Sequence, residues 1–134
     1  MVPIYRALEA QVSALPAGER EALREGWWSF NLDEYVGLGP SENGSFAAEM
    51  RRDLCEPLGI DPARVLLPNG LATDPQEEAL RYGEALHQAG GIGLQMLGLG
   101  LNGHVGFNEP PCSADSATRC VELCASTQIG RAHV

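Results

Sequence analysis

The sequence has few basic residues, no long apolar run and no cysteine spacing typical of a metal site. Nine Lys and Arg against eighteen Asp and Glu give a formal net charge of −9 at pH 7. Non-specific binding of nucleic acid needs cationic side chains that neutralise phosphates, so the acidic charge argues against this class of function. No apolar run reaches the roughly 18 residues that a membrane-spanning helix needs. The N-terminal residues lack the charged start and apolar stretch of a signal peptide, which makes the cytoplasm the expected compartment.

The four cysteines do not form CxxC pairs, and no histidine is placed to complete a zinc site with them. A disulfide framework is unusual in an apolar chain without a secretory signal. We therefore expect four free thiols, at Cys55, Cys112, Cys120 and Cys124.

Hydrophobic periodicity predicts helices that alternate with strands, within one small domain. The predicted elements are a helix over Ile4–Leu15 that ends at Pro16, a buried strand over Trp27–Leu32, a helix capped by Ser45 that runs past Leu54, a turn capped by Asp61, a strand over Val65–Leu67, a helix capped by Asp74 that runs to Gly90, a strand over Ile92–Leu97 that is buried on both faces, and a short strand at Val121 and Leu123. This order predicts an α/β layered fold with parallel strand pairing.

Two polar clusters follow predicted strands, where open α/β sheets bind their ligands. Asp33-Glu34-Tyr35 follows the first strand, and the glycine-punctuated segment Asn102–Pro110 follows the Ile92–Leu97 strand. Their carboxylates, imidazole and amides suit general acid–base chemistry better than covalent or metal chemistry. On the residues alone, the first cluster could equally cap a loop, and His104 could be an ordinary surface residue.

A resemblance to a known family favours the catalytic interpretation of both clusters. The segment Asn-Leu-Asp-Glu-Tyr-Val-Gly-Leu at 31–38 resembles the strand-end motif of the glucosamine-6-phosphate deaminase (glucosamine/galactosamine-6-phosphate isomerase) family. The segment Gly-Leu-Gly-Leu-Asn-Gly-His-Val-Gly-Phe-Asn-Glu-Pro at 98–110 resembles that family's ring-opening loop. The similarity runs from about Ile4 to Thr127, and Phe107–Pro110 favours the deaminases over the sister 6-phosphogluconolactonases.

The resemblance implies a Rossmann-like three-layer fold with a mostly parallel sheet, and conversion of glucosamine 6-phosphate to fructose 6-phosphate and ammonia without metal or organic cofactor. His104 would open the pyranose ring, and Glu109 and Asn102 would orient it. Asp33 would move the proton from C2 to C1. Many members of the family carry aspartate where this chain has Asn102.

The resemblance also predicts that the fold is truncated at both ends, with residues 1–128 forming part of the family's domain. The phosphate-binding turn is expected upstream of Met1, and closing helices are expected beyond Thr127. Residues 129–134 depart from the family pattern and resemble a translated sequencing adapter, so we expect a non-native tail there. The 134-residue chain by itself is accordingly expected to be inactive.

Two other functions stay open from the sequence: a lactone hydrolase that uses His104 as the base for water, and a non-catalytic sugar-phosphate sensor. The expected partner in each case is a small sugar phosphate, with no nucleic acid and no membrane. The epimer preference, homo-oligomerisation and allosteric control are not determined by the sequence.

Overall fold

The computed structural model describes residues 2–124, which form two compact units, one ending at Leu71 and the other beginning at Ala72. The first unit contains helices and strands in the order α1 Val2–Ser13, α2 Ala17–Gly26, β1 Ser29–Phe30, α3 Phe46–Met50, α4 Glu56–Leu58 and β2 Val65–Leu66. A π-helical turn over Arg51–Cys55 joins α3 to α4, and a 3₁₀ turn over Pro62–Arg64 precedes β2. The second unit contains α5, Pro75–Gln88, and the loops that follow it.

The two strands pair in parallel. Ser29 lies beside Val65 and Phe30 beside Leu66, and the Asn31 N–H donates to the Leu66 carbonyl at 2.9 Å. Parallel strands cannot be joined by a hairpin, and the helical segment from α3 to α4 supplies the crossover here. The predicted α/β class with parallel pairing is confirmed.

The core of the first unit lies between α1, the α3–α4 segment and β2. Its buried members are apolar and come from all three: Val12, Met50, Leu54, Cys55, Leu58, Ile60 and Val65. The helical segment ends at Gly59, whose φ of 68° is a left-handed conformation that glycine adopts without strain. The chain then turns into the strand that carries Val65.

The predicted helix caps are confirmed. The Ser45 hydroxyl accepts the Ala48 N–H at 3.2 Å, and the Asp61 carboxylate accepts the Ala63 N–H at 2.9 Å. The Asp74 carboxylate accepts two N–H groups at the start of α5. Such caps satisfy donors that have no partner within the first turn of a helix.

The predicted strand over Ile92–Leu97 is wrong. This segment has no regular strand structure, and its side chains are exposed, with Leu94 at 86%. An apolar strand becomes buried only when neighbouring strands pair with it and helices cover both faces. No described residue pairs with this segment in a strand ladder. The short strand predicted at Val121 and Leu123 is also absent from the described part of the chain.

Two further differences concern the first unit. The strand predicted over Trp27–Leu32 is shorter, and Trp28 is 62% exposed with the Arg64 guanidinium 5.6 Å from its ring centroid. Helix α2 was not predicted, because its composition is largely polar and it has no fully buried residue.

Among residues 2–124, no helix has the length and apolar character needed to cross a membrane. The tail predicted at 129–134 lies outside the described residues.

Candidate active site

The first polar cluster follows β1 in the first unit. Asp33 is half-buried and lies three residues after the end of the strand. The carboxylate of the next residue, Glu34, does not point into an open site, because it receives the N–H groups of Phe46 and Ala47 at 3.1 and 2.9 Å. It also accepts the Ser45 hydroxyl at 3.1 Å. Glu34 therefore caps α3 and fixes the backbone beside Asp33.

Further contacts hold this loop. The rings of Tyr35 and Phe46 stack with centroids 5.4 Å apart. The Gly37 N–H donates to the Gly70 carbonyl at 2.7 Å. A Cβ at residue 70 would collide with the backbone carbonyls of Tyr35 and Leu38, so only glycine permits this close approach. The loop that carries Asp33 is thus fixed on both sides by the first unit.

The second polar cluster lies in a tightly turned loop of the second unit. The Gly103 N–H donates to the Gly100 carbonyl at 2.9 Å, and the Gly100 N–H donates to the His104 carbonyl at 2.8 Å. Val105 and Asn108 exchange backbone hydrogen bonds at 3.2 and 3.0 Å. Gly103 has a φ of 86°, which explains a glycine directly before the histidine. These turns fix the backbone at His104.

Asn102, His104 and Glu109 form one hydrogen-bonded chain. The Asn102 amide donates from Nδ2 to Glu109 Oε2 at 2.6 Å, and its Oδ1 lies 2.6 Å from His104 Nδ1. Glu109 Oε2 is 3.9 Å from His104 Nδ1. Both side chains are partly buried, since 26% of the His104 side chain and 19% of the Glu109 side chain are exposed.

This chain of bonds determines the imidazole tautomer. Glu109 is a carboxylate and can only accept, so it fixes the NH₂ end of the Asn102 amide toward itself. The carbonyl end of the amide then faces His104 Nδ1 and can only accept from it. The hydrogen-bond pattern therefore assigns the proton to Nδ1 and the lone pair of the neutral ring to Nε2.

Two cysteines lie on the segment that follows the loop. The Cys124 thiol donates to Glu109 Oε1 at 3.0 Å, on the carboxylate oxygen that Asn102 does not use. The Cys112 thiol lies 3.5 Å from the Ser116 hydroxyl and accepts from the Arg119 guanidinium at 3.0 Å. The hydrogen bond with Ser116, together with the hydrogen bond and positive charge of Arg119, lowers the pKa of the Cys112 thiol. All four cysteines are free thiols.

The structure brings together three of the four residues predicted for the site, namely Asn102, His104 and Glu109, within the second unit. The fourth, Asp33, lies in the first unit, beside the capping residue Glu34. Sequence reasoning missed Cys124, which has no motif that marks it, and the steric role of Gly100 beside the His104 ring. Among the described residues, no group of three or more His, Cys, Asp or Glu side chains is arranged to hold a metal ion.

Curated proteins similar to this chain are glucosamine-6-phosphate deaminases. The glucosamine-6-phosphate deaminase of Streptomyces avermitilis is 42% identical over 131 residues, which are 98% of this chain and 48% of the relative. The enzymes of the same name from Cutibacterium acnes and Thermoanaerobacter sp. are 43% and 44% identical over 104 and 99 residues. These alignments cover 78% and 74% of this chain and 40% and 39% of the relatives. No family model matches the chain.

A solved structure is similar as well. It is described as a monomeric glucosamine-6-phosphate deaminase, a "missing link of the NagB superfamily", and superimposes with a TM-score of 0.86 at 33% identity. The match covers 98% of this chain and 53% of that protein. The chain thus spans about half the length of the proteins that it matches.

Proposed function

Since this chain belongs to the glucosamine-6-phosphate deaminase family, we propose that its polar loops serve the conversion of glucosamine 6-phosphate to fructose 6-phosphate and ammonia. The observation that carries the proposal is the hydrogen-bonded chain from Glu109 through Asn102 to His104 Nδ1. It leaves Nε2 as the nitrogen that exchanges a proton with the substrate.

In this proposal, His104 opens the sugar ring. Nε2 takes the proton of the anomeric hydroxyl and delivers it to the ring oxygen, so that the cyclic substrate becomes the open-chain aldehyde. A histidine side chain suits both halves of this transfer, because it exchanges protons near neutral pH.

Glu109 and Asn102 support the charged intermediate state of His104. When Nε2 carries the transferred proton, the ring is an imidazolium cation, and the Glu109 carboxylate 3.9 Å from Nδ1 stabilises it. Asn102 carries no charge, so its contribution is to fix the ring orientation and the tautomer through its two short hydrogen bonds.

Asp33 acts in the isomerisation that follows. Its carboxylate removes the proton from C2 of the open form and returns it to C1, and water then replaces the nitrogen, which leaves as ammonia. Support for this role comes from its place after β1 and from the four hydrogen bonds that anchor the adjacent Glu34.

The proposal assigns residues 1–128 to the deaminase domain, with a small sugar phosphate as the ligand, no resident cofactor and a cytoplasmic location. The relatives and the structural neighbour are deaminases, which favours this activity over lactone hydrolysis and over a sensor without turnover. The choice between glucosamine and galactosamine substrates is left to the assay.

The test measures ammonia release from glucosamine 6-phosphate by the chain and by a chimera in which it replaces the aligned segment of the Streptomyces avermitilis enzyme. His104→Gln and Asp33→Asn should each lower kcat by about 10²–10⁴-fold, the usual contribution of a positioned acid or base. His87→Gln, in α5 outside the loop, is the matched control and should keep full activity. A chimera that binds the sugar phosphate without turnover, or that hydrolyses 6-phosphogluconolactone instead, would overturn the proposal.

A further inference from the structure

The Glu109 carboxylate is held from both of its oxygens. Asn102 Nδ2 donates to Oε2 at 2.6 Å, and the Cys124 thiol donates to Oε1 at 3.0 Å. All three residues belong to the second compact unit. Cys124 lies fifteen residues after Glu109, so its thiol connects the segment after the loop to the loop itself.

Two hydrogen bonds, one on each carboxylate oxygen, fix the orientation of the Glu109 side chain. This side chain has several rotatable bonds, and fixing them costs conformational entropy. The terminal carboxylate also turns in a broad, roughly two-fold potential, so one hydrogen bond alone leaves its plane poorly defined. A second donor on the opposite oxygen fixes that plane and keeps Oε2 directed at Asn102.

The position of Glu109 in turn sets the proton on His104. If the carboxylate moves away, the Asn102 amide loses its 2.6 Å bond to Glu109 and keeps only the longer hydrogen bond of this chain, 3.2 Å from the His104 N–H to Oδ1. The population with the amide turned over then increases. The NH₂ end can then face His104 Nδ1, which must accept from it, and the proton moves to Nε2. A neutral ring protonated on Nε2 has no lone pair at the nitrogen proposed to act on the substrate.

We propose that Cys124 is a positioning residue, which holds Glu109 through its thiol and so maintains the Nδ1–H tautomer of His104. This inference rests on the proposed function for its catalytic meaning. A thiol is a weak donor, but a bond to an ionised carboxylate is stronger than one to a neutral acceptor. Cys124 is exposed, so replacing it leaves no cavity in a core, in contrast to the buried Cys55.

The test reads the tautomer directly. The chain carrying ¹⁵N-labelled histidine is examined by long-range ¹H–¹⁵N correlation at a pH where the rings are neutral, and His104→Gln assigns the His104 signals. Cys124→Ala should lower the ratio of Nδ1–H to Nε2–H tautomer at His104 by about fivefold, the equivalent of one ordinary hydrogen bond. Cys124→Ser retains a donor and should keep the ratio. Cys120→Ala, a thiol removed from the same segment, is the matched control.

An unchanged ratio in Cys124→Ala would overturn the inference, and so would a Cys124→Ser variant that behaves like Cys124→Ala. A kinetic measurement then separates this result from the proposed function. In the active chimera, Cys124→Ala should lower kcat several-fold with KM unchanged, and Cys124→Ser should restore it. If no variant releases ammonia while the tautomer ratio still responds to Cys124, the deaminase proposal fails and the positioning role stands.

Discussion

The imidazole of His104 lies against the backbone of Gly100, in the space that a side chain at residue 100 would occupy. A Cβ built on Gly100 would overlap three ring atoms of His104, including both nitrogens. The Gly100 N–H also donates to the His104 carbonyl at 2.8 Å. Backbone and side chain of the histidine are therefore both placed by this glycine.

Gly100→Ala should consequently displace the ring and break the hydrogen bond to Asn102. We expect a loss of proposed deaminase turnover of at least 10²-fold, because a misplaced acid–base group loses its contribution to the rate. Gly98→Ala is the matched control, since a Cβ there meets nothing within 4 Å. Assays of both variants in the chimera test this, and equal activities would contradict the steric role.

Glu34→Ala should destabilise the first unit by about 2 kcal/mol, because three hydrogen bonds at the start of α3 and one from the Tyr35 N–H lose their acceptor. Both tryptophans lie in this unit, so urea unfolding followed by tryptophan fluorescence reports its stability. The control is Glu25→Ala, which removes an exposed carboxylate near the end of α2. A Glu34→Ala midpoint that matches that of Glu25→Ala would contradict the capping role.

Cys112 should be alkylated at lower pH than an ordinary thiol. The hydrogen bond with Ser116 and the Arg119 guanidinium lower the pKa of Cys112, so the reactive thiolate appears earlier as the pH rises. Burial raises the pKa of Cys55, which should react slowest in the folded protein. Iodoacetamide labelling, followed by peptide mass spectrometry, measures how the alkylation of Cys112 and of Cys55 depends on pH.

Two arginine variants test whether Arg119 causes the low pKa of Cys112 in the labelling experiment. Arg119→Met removes the charge and the donor, and should move the Cys112 labelling profile to higher pH. Arg6→Met removes a cation from the other compact unit and should leave the profile in place. A Cys112 profile that does not respond to Arg119→Met would show that the guanidinium does not stabilise the thiolate.

The exposed apolar segment after α5 should make the chain bind hydrophobic dyes and associate. Leu94 and Leu99 are 86% and 77% exposed, and contiguous apolar surface of this kind is prone to association. Changing both to lysine should lower dye fluorescence and light scattering. Leu80→Lys, at an exposed position within α5, is the comparison. A comparable decrease in that variant would mean that the segment is not the cause.

Local rules recovered much of the fold from the sequence. Ser45, Asp61 and Asp74 cap helical turns as predicted, because each cap is a contact between residues two or three apart. The prediction of a strand over Ile92–Leu97 was wrong. An apolar run shows that a segment can be buried, but it does not show which strands will pair with it. Helix α2 was not predicted because its composition is largely polar and none of its residues is fully buried.

The candidate site also has some features that the sequence predicted and others that only the fold shows. The family resemblance of residues 98–110 was enough to select Asn102, His104 and Glu109, and the short loop that contains them brings them together. Without the family resemblance, the residue pattern did not separate the roles of Asp33 and Glu34, which are adjacent carboxylates. The fold assigns the structural role to Glu34, whose carboxylate accepts the N–H groups of Phe46 and Ala47 in α3.

What the sequence determined by itself is therefore the family, the α/β class and the chemical groups of the loop, all of which follow from local pattern. The tertiary structure decided which nitrogen of His104 carries the proton, why residue 100 must be glycine, and that the Cys124 thiol holds the second oxygen of Glu109. Those properties depend on distances of about 3 Å between side chains that the loop's turns bring together, and no spacing in the sequence specifies such distances.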